Sequence, residues 1–276
     1  MLPASNEGKI SPEELTQGFT DAGVREGESV MLHASLESMG TIDGGAAMVI
    51  HRLLRVIGKD GTLLMPTFTS ISRHSPTHND FTEPNCWCGG SEDRHVPFIP
   101  ELQPDKQIGA IAYRLCSWPN SRRSKHPGYS FVAVGRHADE IISEIKLDDP
   151  LLPIKKLQKY DPIILTIAVN LTAVTAIHLA ENRKPRSKLV DERALTMMRG
   201  RTWVNIRGLP CANGFQKLTN QLNPRTAAKI GLAKAEIYSM KGLIDRARSI
   251  LKRDPTALNC NRASCLSCDD SLSSLA

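Results

Sequence analysis

The sequence predicts an α/β protein with a central mixed sheet flanked by helices, and with a helical C-terminal part. Short apolar runs of strand length alternate with amphipathic runs of helix length in the earlier part of the chain, and helical patterns dominate later. The 276 residues are 41% hydrophobic, which is enough to bury a large core. No apolar run approaches the roughly 20 residues that a membrane-spanning helix needs, so a globular fold is expected.

Helix and strand signals follow one another from residue 11 onward. Ser11 and Glu14 predict a capping box, and Pro12 suits the first turn of the helix that follows. The predicted helices of this part cover 11–22, 46–57, 107–115, 138–145 and 172–183, and the predicted strands cover 29–33, 61–68, 131–134 and 161–169. Residues 70–102 read as a long irregular segment rich in Pro, His, Cys and Gly, and loops of this length are usually functional or mobile.

The C-terminal part contains one hairpin signal and two helix signals. A turn at Met198-Arg199-Gly200-Arg201 separates two strand-like runs within 194–205, which predicts a hairpin. Residues 227–238 and 240–251 are predicted as helices, the second of them amphipathic. We expect residues 1–276 to form a single domain, with a disordered tail from about residue 269.

The charge balance is basic and suits a polyanionic partner. The net charge is +6 and the isoelectric point is about 9.0, which suits nucleic acid as well as a nucleotide or coenzyme A. No nucleic-acid motif occurs and aromatic residues make up only 5%, so we expect no nucleic-acid partner. The N-terminus lacks a basic segment followed by an apolar one, so we expect a cytoplasmic protein without a membrane partner.

Two histidines stand in settings that suggest chemistry. His178 and Glu181 are three residues apart in a helix-like run, so their side chains share one face, and such a pair can form a general base. The alternative is a solvated surface pair. His126 precedes Pro127, so its backbone is expected to be extended or in a turn.

Seven cysteines include a dense C-terminal group. Cys260, Cys265 and Cys268 lie within nine residues, and the spacing of the last two lets both thiolates reach one tetrahedral zinc ion. Cys211, beside a predicted turn, is the best candidate for the fourth ligand of a structural zinc site. Weaker candidates are His95, Cys86 and Cys88, and the alternative is a set of reduced thiols in a partly ordered tail. Cys116 lies in a helical run and is interpreted as a packed thiol rather than a nucleophile.

A glycine pair opens the second predicted helix. Gly44 and Gly45 follow Asp43, and backbone N–H groups at a glycine-containing helix start can bind an anion. The alternative is a tight turn. The strand 29–33 and the loop 34–45 lead directly into this helix start.

The order of several motifs is more specific than any one of them. The sequence contains Leu32-His33-Ala34-Ser35-Leu36, then Gly40 and Gly45, Gly58-Lys59-Asp60-Gly61-Thr62-Leu63-Leu64-Met65-Pro66-Thr67-Phe68, Gly109-Ala110-Ile111, Arg123-Ser124-Lys125-His126-Pro127, Ser130-Phe131-Val132-Ala133-Val134-Gly135, Thr175-Ala176-Ile177-His178-Leu179-Ala180-Glu181, Cys211 with Gly214-Phe215, Gly231, Asp254-Pro255, and Cys265 with Cys268. Over roughly residues 10 to 270 this order resembles the antibiotic N-acetyltransferase family of the aminoglycoside 3-N-acetyltransferase type.

The resemblance implies an enzyme that transfers an acetyl group from acetyl-CoA directly to an amine, without an acyl-enzyme. It implies that His178 is the base and Glu181 the acidic residue beside it. Ser124 and His126 are expected to flank the pantetheine arm or the diphosphate, and Thr67 or Ser35 to donate to the oxyanion. The expected coenzyme A contacts are His33, Ala34, Ser35, Leu36, Gly40, Gly44, Gly45, Thr67, Phe68, Ser124 and His126.

Departures from the family pattern cluster in the segments expected to face the acceptor amine, so the sequence does not decide which amine is acetylated. Relatives usually read Leu-Leu-Gly-Val-Gly before the histidine, whereas residues 163–170 contain no glycine. A Ser-Pro-rich segment is replaced by 149–156, and no acidic residue stands in 207–210. The first hypothesis for the acceptor is an aminoglycoside, and the second is another small amine of a biosynthetic pathway. The basic charge of the chain favours the second hypothesis, because a polycationic aminoglycoside needs an acidic pocket. A catalytically silent CoA-binding or zinc-stabilised protein is the third hypothesis, against which the intact His178 and Glu181 argue. A homodimer is compatible with each hypothesis.

Overall fold

The computed structural model describes residues 9–74, 95–181 and 191–262, together with Cys265 and Cys268. The predicted disordered tail from residue 269 lies outside these residues. The helices are α1 Pro12–Ala22, α2 Gly45–Ile57, α3 Ala110–Cys116, α4 Ala138–Ile142, α5 Leu152–Leu157 and α6 Met240–Arg253. The strands are β1 Ser29–Ala34, β2 Thr62–Pro66, β3 Arg73–His74, β4 Arg122–Arg123, β5 Phe131–Gly135, β6 Ile163–Ile167, β7 Asp191–Thr196, β8 Thr202–Arg207, β9 Thr226–Ile230 and β10 Ala233–Ser239.

The main sheet has seven strands in the order β4-β5-β2-β1-β6-β10-β9. The central strand β1 pairs in parallel with both β2 and β6, and the outer pairings are antiparallel. The mixed sheet predicted from the sequence is therefore confirmed. The carboxyl ends of β1, β2 and β6 meet at one edge, which we call the carboxyl edge.

Helices cover both faces of the main sheet. Leu32 on β1 packs into a core with α1, α2 and α3, whereas Met31 packs into a second core with α4, α5 and α6. Strands buried on both faces explain why the central strands appear in the sequence as continuous apolar runs rather than alternating ones. The capping box of α1 forms as predicted, with Glu14 N donating to Ser11 Oγ at 3.2 Å and Ser11 N donating to Glu14 Oε2 at 2.7 Å.

The predicted hairpin within 194–205 is confirmed as β7 and β8, which form a second sheet with β3. A buried ion pair lies within this second sheet, between β3 and β7, and Tyr129, two residues before β5, hydrogen-bonds to it. Arg73 Nη1 lies 3.0 Å from Glu192 Oε2, and the hydroxyl of Tyr129 donates to Glu192 Oε1 at 3.0 Å. In the described part of the chain, no helix has the length and apolarity that crossing a membrane requires.

The predicted helix 227–238 is wrong. The segment forms the hairpin β9–β10, which adds two strands to the main sheet. Gly231 at the turn has φ +61°, and a Cβ there would lie 2.4 Å from Met39 O, so only glycine fits. Pairing with β6 therefore overrides the helix propensity of the Ala, Lys and Glu residues in this run. The C-terminal part still ends in a long helix, α6, as predicted.

The predicted α-helix 172–183 is also wrong within the described residues. Two 3-10 segments, Leu171–Ala173 and Thr175–Ala180, take its place, and residues 182–183 lie outside the described part of the chain. The β-branched residues at 172, 174, 175 and 177 disfavour a regular α-helix here. Smaller differences are the early end of α4 at Ile142, the break before α3 at Gly109, and the helix α5, which the sequence did not predict.

Ala168, immediately after β6, has a strained backbone. Its φ is +53°, in the left-handed region that glycine occupies most easily. Its N–H donates to Lys234 O at 2.9 Å, so sheet pairing holds it in place. We expect Ala168→Gly to raise the free energy of unfolding by about 1 kcal/mol, measured by urea titration.

Ala227→Gly is the matched control, because Ala227 is an exposed residue in the strand β9 with an ordinary backbone. It should lower the free energy of unfolding by about 0.5–1 kcal/mol. A loss of stability in both variants would contradict the assigned strain at Ala168.

Candidate active site

The carboxyl edge of the main sheet gathers most of the predicted site residues. β1 ends at Ala34, β2 at Pro66 and β6 at Ile167. Ligands of open α/β sheets bind outside the carboxyl ends of the parallel strands. Residues 33–36 and 67–68 therefore stand beside each other, and the 3-10 segment Thr175–Ala180 follows β6 at the same edge.

His178 and Glu181 form a buried pair at this edge. His178 Nδ1 lies 2.8 Å from Glu181 Oε2, and the two side chains are 5% and 2% exposed. In a 3-10 helix, side chains three residues apart lie directly above one another, so the pair survives the change of helix type. The solvated surface pair considered from the sequence is excluded. A carboxylate that accepts from Nδ1–H leaves the Nε2 lone pair of the imidazole as the basic atom.

The surroundings hold the His178 segment from two sides. The Phe215 ring meets the His178 imidazole edge-on, with ring centroids 4.8 Å apart. Arg248 Nη2 on α6 donates to Leu179 O at 3.1 Å. Ile177 is fully buried in the core that α6 covers. These contacts fix the position of the imidazole without using its nitrogen atoms.

His33 lies in a row of polar residues on the sheet face that carries this second core. His33 on β1 pairs with Thr166 on β6, and Thr166 pairs with Glu236 on β10. His33 is 5% exposed, its Nε2 has no hydrogen-bond partner within the described part of the chain, and burial lowers its pKa to about 4. His33 is therefore a neutral ring at neutral pH.

Glu236 is a carboxylate that the sequence analysis missed, because it falls in the segment wrongly predicted as a helix. Its side chain accepts from the Tyr238 hydroxyl at 2.9 Å and pairs with Lys234 Nζ at 2.6 Å. Alternation in a correctly predicted strand would have placed it on the same face of the sheet as Tyr238.

The loop after β1 is shaped by glycines with left-handed backbones. Gly40, Gly44 and Gly45 have φ of +90°, +79° and +55°. A Cβ at Gly45 would meet nothing within 4 Å, and Gly44 supplies no side chain to cap α2. The start of α2 is thus open at Gly45, where it suits an anion, whereas the Met48 side chain lies beside Gly44. Ser35 N donates to Ile167 O at 3.0 Å, which ties the loop to β6.

Thr67 is held in a buried network rather than exposed in a groove. Its side chain is fully buried, and Thr67 Oγ1 lies 3.0 Å from Ser130 Oγ and 3.2 Å from Arg123 Nε. Arg123 Nη2 also donates to Thr67 O at 2.8 Å. Thr67 therefore supports the end of β2, and Ser35, which is partly exposed, remains the predicted oxyanion donor. The Phe68 ring packs edge-on against Tyr129.

Ser124 and His126 are buried and engaged within the protein. Ser124 Oγ accepts from Phe131 N at 2.9 Å. His126 Nδ1 accepts from Tyr129 N at 3.2 Å, and its Nε2 faces Leu147 O at 3.4 Å. Burial lowers the pKa of His126 to about 4. These hydrogen bonds give His126 a structural role beside β5. Because both of its ring nitrogens face groups of the protein, His178 is the better candidate for the base.

The four cysteines predicted as metal ligands come together. The Sγ atoms of Cys211, Cys260, Cys265 and Cys268 all lie within 4.8 Å of one another. A hydrogen bond between the thiols of Cys211 and Cys268 lowers the pKa of Cys268 and raises that of Cys211.

Of the weaker candidate ligands, His95 lies in the described part of the chain and does not join this cluster. His95 Nε2 faces Arg73 O at 2.8 Å and its ring contacts Trp203, so it belongs to the second sheet. Cys86 and Cys88 lie outside the described residues. Cys116 is a partly buried thiol on α3 whose pKa is raised by burial, which agrees with a packed role.

A mixed sheet flanked by helices carries a buried histidine–carboxylate pair at its carboxyl edge, an arrangement chemically suited to proton transfer. The chain belongs to the aminoglycoside 3-N-acetyltransferase family, whose model matches residues 31–252. It is 28% identical over 245 residues to the SPbeta prophage-derived aminoglycoside N(3')-acetyltransferase-like protein YokD of Bacillus subtilis, covering 85% of this chain and 90% of that protein. It is 27% identical to aminoglycoside N(3)-acetyltransferase IX of Micromonospora chalcea, covering 75% of each.

Solved structures share the fold. The crystal structure of YokD superposes with a TM-score of 0.79 at 26% identity, over 88% of this chain and 99% of that one. A mutant of the aminoglycoside acetyltransferase AAC(3)-IVa in complex with a gentamicin has a TM-score of 0.76 at 23% identity, over 96% and 98% of the chains. The binary complex of AAC-IIIb with CoASH has a TM-score of 0.72 at 19% identity, over 89% and 97%. At these last two identities the likeness concerns the fold alone.

The buried His126 makes stability depend on pH. Its pKa is 6.5 in an ordinary setting and about 4 in the fold, so below pH 6.5 the unfolded chain binds the proton more readily. The contribution of the neutral His126 ring to the free energy of unfolding is therefore fully present above pH 6.5 and is lost as the pH falls towards 4. Between these pH values, the free energy of unfolding of His126→Gln should fall by about 2 kcal/mol less than that of the wild type, as measured by urea unfolding across the range. Parallel pH curves for the two proteins would contradict this.

Proposed function

We propose that the protein transfers the acetyl group of acetyl-CoA directly to an amine of an aminoglycoside or a related small molecule. The observation that carries the proposal is the buried His178–Glu181 pair at the carboxyl edge of the sheet. Membership in the aminoglycoside 3-N-acetyltransferase family supports the reaction type.

His178 acts as the general base in this proposal. An amine attacks the thioester carbonyl carbon only through its free lone pair, so a base must accept the proton that the nitrogen loses. Nε2 accepts that proton as the C–N bond forms, and the Glu181 carboxylate stabilises the resulting imidazolium. The tetrahedral intermediate then collapses, the C–S bond breaks, and the imidazolium returns the proton to the thiolate of coenzyme A. Ser35 is the proposed donor to the oxyanion.

Acetyl-CoA is the proposed acetyl donor, with the open start of α2 and the loop 35–45 beside its phosphates. Gly44 and Gly45 bring no side chain of their own to this helix start, and backbone N–H groups there favour negative charge. The CoASH complex of the related AAC-IIIb supports a coenzyme A site in this fold. The neutral ring of His33 forms part of the same edge.

The acceptor is proposed to be an aminoglycoside amine, because a solved relative carries a gentamicin. Glu236, in line with Thr166 and His33, is a carboxylate able to face a cationic acceptor from β10. The net charge of +6 favours a second candidate, a small amine with less positive charge, for the same chemistry.

Further features remain proposals. We propose a cytoplasmic location, no nucleic-acid or membrane partner, and a structural zinc ion at the four cysteines. A homodimer and a single domain over residues 1–276 stay predictions.

The test is release of the coenzyme A thiol from acetyl-CoA with a panel of aminoglycosides and smaller amines. We expect His178→Gln to lower kcat by about 100-fold or more, because the amine loses its proton acceptor. Glu181→Gln should lower kcat by about 10-fold, because the ring stays in place without its partner charge.

Acetyl-CoA affinity should change little in both variants, as measured by calorimetry. His51→Gln is the control, since His51 lies on the exposed side of α2 and should keep wild-type turnover. Wild-type turnover in His178→Gln would place the base elsewhere.

A further inference from the structure

The four-cysteine cluster is connected to the catalytic histidine through one short segment of chain. We infer that Cys211, Cys260, Cys265 and Cys268 bind one zinc ion, and that this ion holds segment 211–218 where Phe215 positions His178. The part of this inference that concerns turnover rests on the proposed function. The metal site and its effect on the His178 segment do not.

The cluster has the donor set and spacing of a structural zinc site. With zinc–sulfur bonds of about 2.3 Å, the sulfurs of a tetrahedral site lie roughly 3.8 Å apart. The four Sγ atoms here lie within 4.8 Å of one another, so small side-chain shifts close the site. Four sulfurs that converge on one point fit a tetrahedral ion better than two separate disulfides. On binding, the thiols release their protons to solvent and four thiolates hold the ion.

Backbone donors already point at two of the four sulfurs. Asn213 N donates to Cys211 Sγ at 3.4 Å, and Cys260 N donates to Cys268 Sγ at 3.3 Å. Hydrogen bonds of this kind stabilise the thiolates that a metal requires and fix their orientation.

The C-terminal tail packs directly against the segment that carries Cys211. The 3-10 helix Asn213–Leu218 lies so close to the tail that a Cβ at Gly214 would be 1.9 Å from Leu258 O. Lys217 Nζ donates to Asn259 O at 2.7 Å. Cys260, Cys265 and Cys268 follow Asn259 in the tail, whereas Cys211 precedes the 3-10 helix. A metal ion bound by all four cysteines would therefore link the tail to the segment 211–218.

Phe215 carries the contact to the active site. It lies in the middle of the 3-10 helix, is fully buried, and meets the His178 ring with centroids 4.8 Å apart. Loss of the metal ion would release the C-terminal tail and Cys211 from each other. We expect Phe215 and the His178 segment that it contacts to become more mobile as a result. Phe215 is a positioning residue in this inference, because it acts through His178 and not on the substrate.

The experiment uses the full chain purified without added zinc. We expect about one zinc per chain in the wild type and well below one in Cys265→Ser. Cys265→His should restore zinc binding, because a Cys3His set holds zinc as well. The control Cys116→Ser lies outside the cluster and should keep its zinc.

Hydrogen–deuterium exchange reads out the coupling independently of activity. Removing zinc with a chelator should raise deuterium uptake in residues 171–181 and leave β1 and β2 unchanged. Phe215→Leu should keep its zinc and show the same rise in residues 171–181. Both treatments should lower kcat by about 10-fold, with acetyl-CoA affinity within about twofold.

Each outcome decides one part of the inference. Zinc well below one per wild-type chain, with all seven cysteines reactive towards a thiol reagent, would overturn the metal site. Bound zinc whose removal leaves exchange at 171–181 unchanged would overturn the coupling to His178. If no amine accepts acetyl, the proposed function fails, and zinc content and exchange still decide the inference.

Discussion

The parallel pairing of β1 with β2 and β6 is the constraint on which the site depends. It turns three chain segments in the same direction and brings their carboxyl ends to one edge. The loop after β1, the buried network after β2 and the 3-10 segment after β6 all start there. The antiparallel strand β10 then lines the far side of β6 and places Glu236 opposite Thr166. An insertion in any of the three parallel strands would move one part of the site away from the others.

Burial strengthens the electrostatic interaction between His178 and Glu181. A pair on the surface would be screened by water, whereas side chains 5% and 2% exposed interact in a low-dielectric setting. The carboxylate then selects one tautomer of the ring, and Phe215 and Arg248 fix the segment that carries it. The strained backbone at Ala168 lies between β6 and this segment, where strain is often retained for function.

The sequence was informative where one local signal decides the structure, and less so where tertiary contacts decide it. The capping box predicted α1, and apolar runs predicted β1, β2, β5 and β6, because strands buried on both faces need continuous apolar residues. The hairpin β9–β10 was missed because its Ala, Lys and Glu residues favour a helix until β6 offers hydrogen bonds. The two-residue strands β3 and β4 leave too little pattern for any prediction.

The same distinction applies to the site residues. The spacing of His178 and Glu181 predicted their contact even though the helix type was wrong, because three residues bring side chains together in both helices. Cys211 was found from the turn beside it and from the need for a fourth ligand, and it lies with the other three cysteines. The sequence did not reveal that Thr67, Ser124 and His126 turn their polar atoms inward, because hydrogen bonds to Arg123, Phe131 and Tyr129 depend on the folded sheet.

The central claim is that Glu181 holds the His178 ring with its proton on Nδ1 and its lone pair on Nε2. Nitrogen-15 chemical shifts of the histidine rings test it directly, with His178→Gln used to assign the signal. We predict that the uncharged form of the His178 ring carries its proton on Nδ1, and that Glu181→Gln shifts the ring towards the other tautomer. A wild-type ring that carries its proton on Nε2 would contradict the account, because no basic nitrogen would then face the amine.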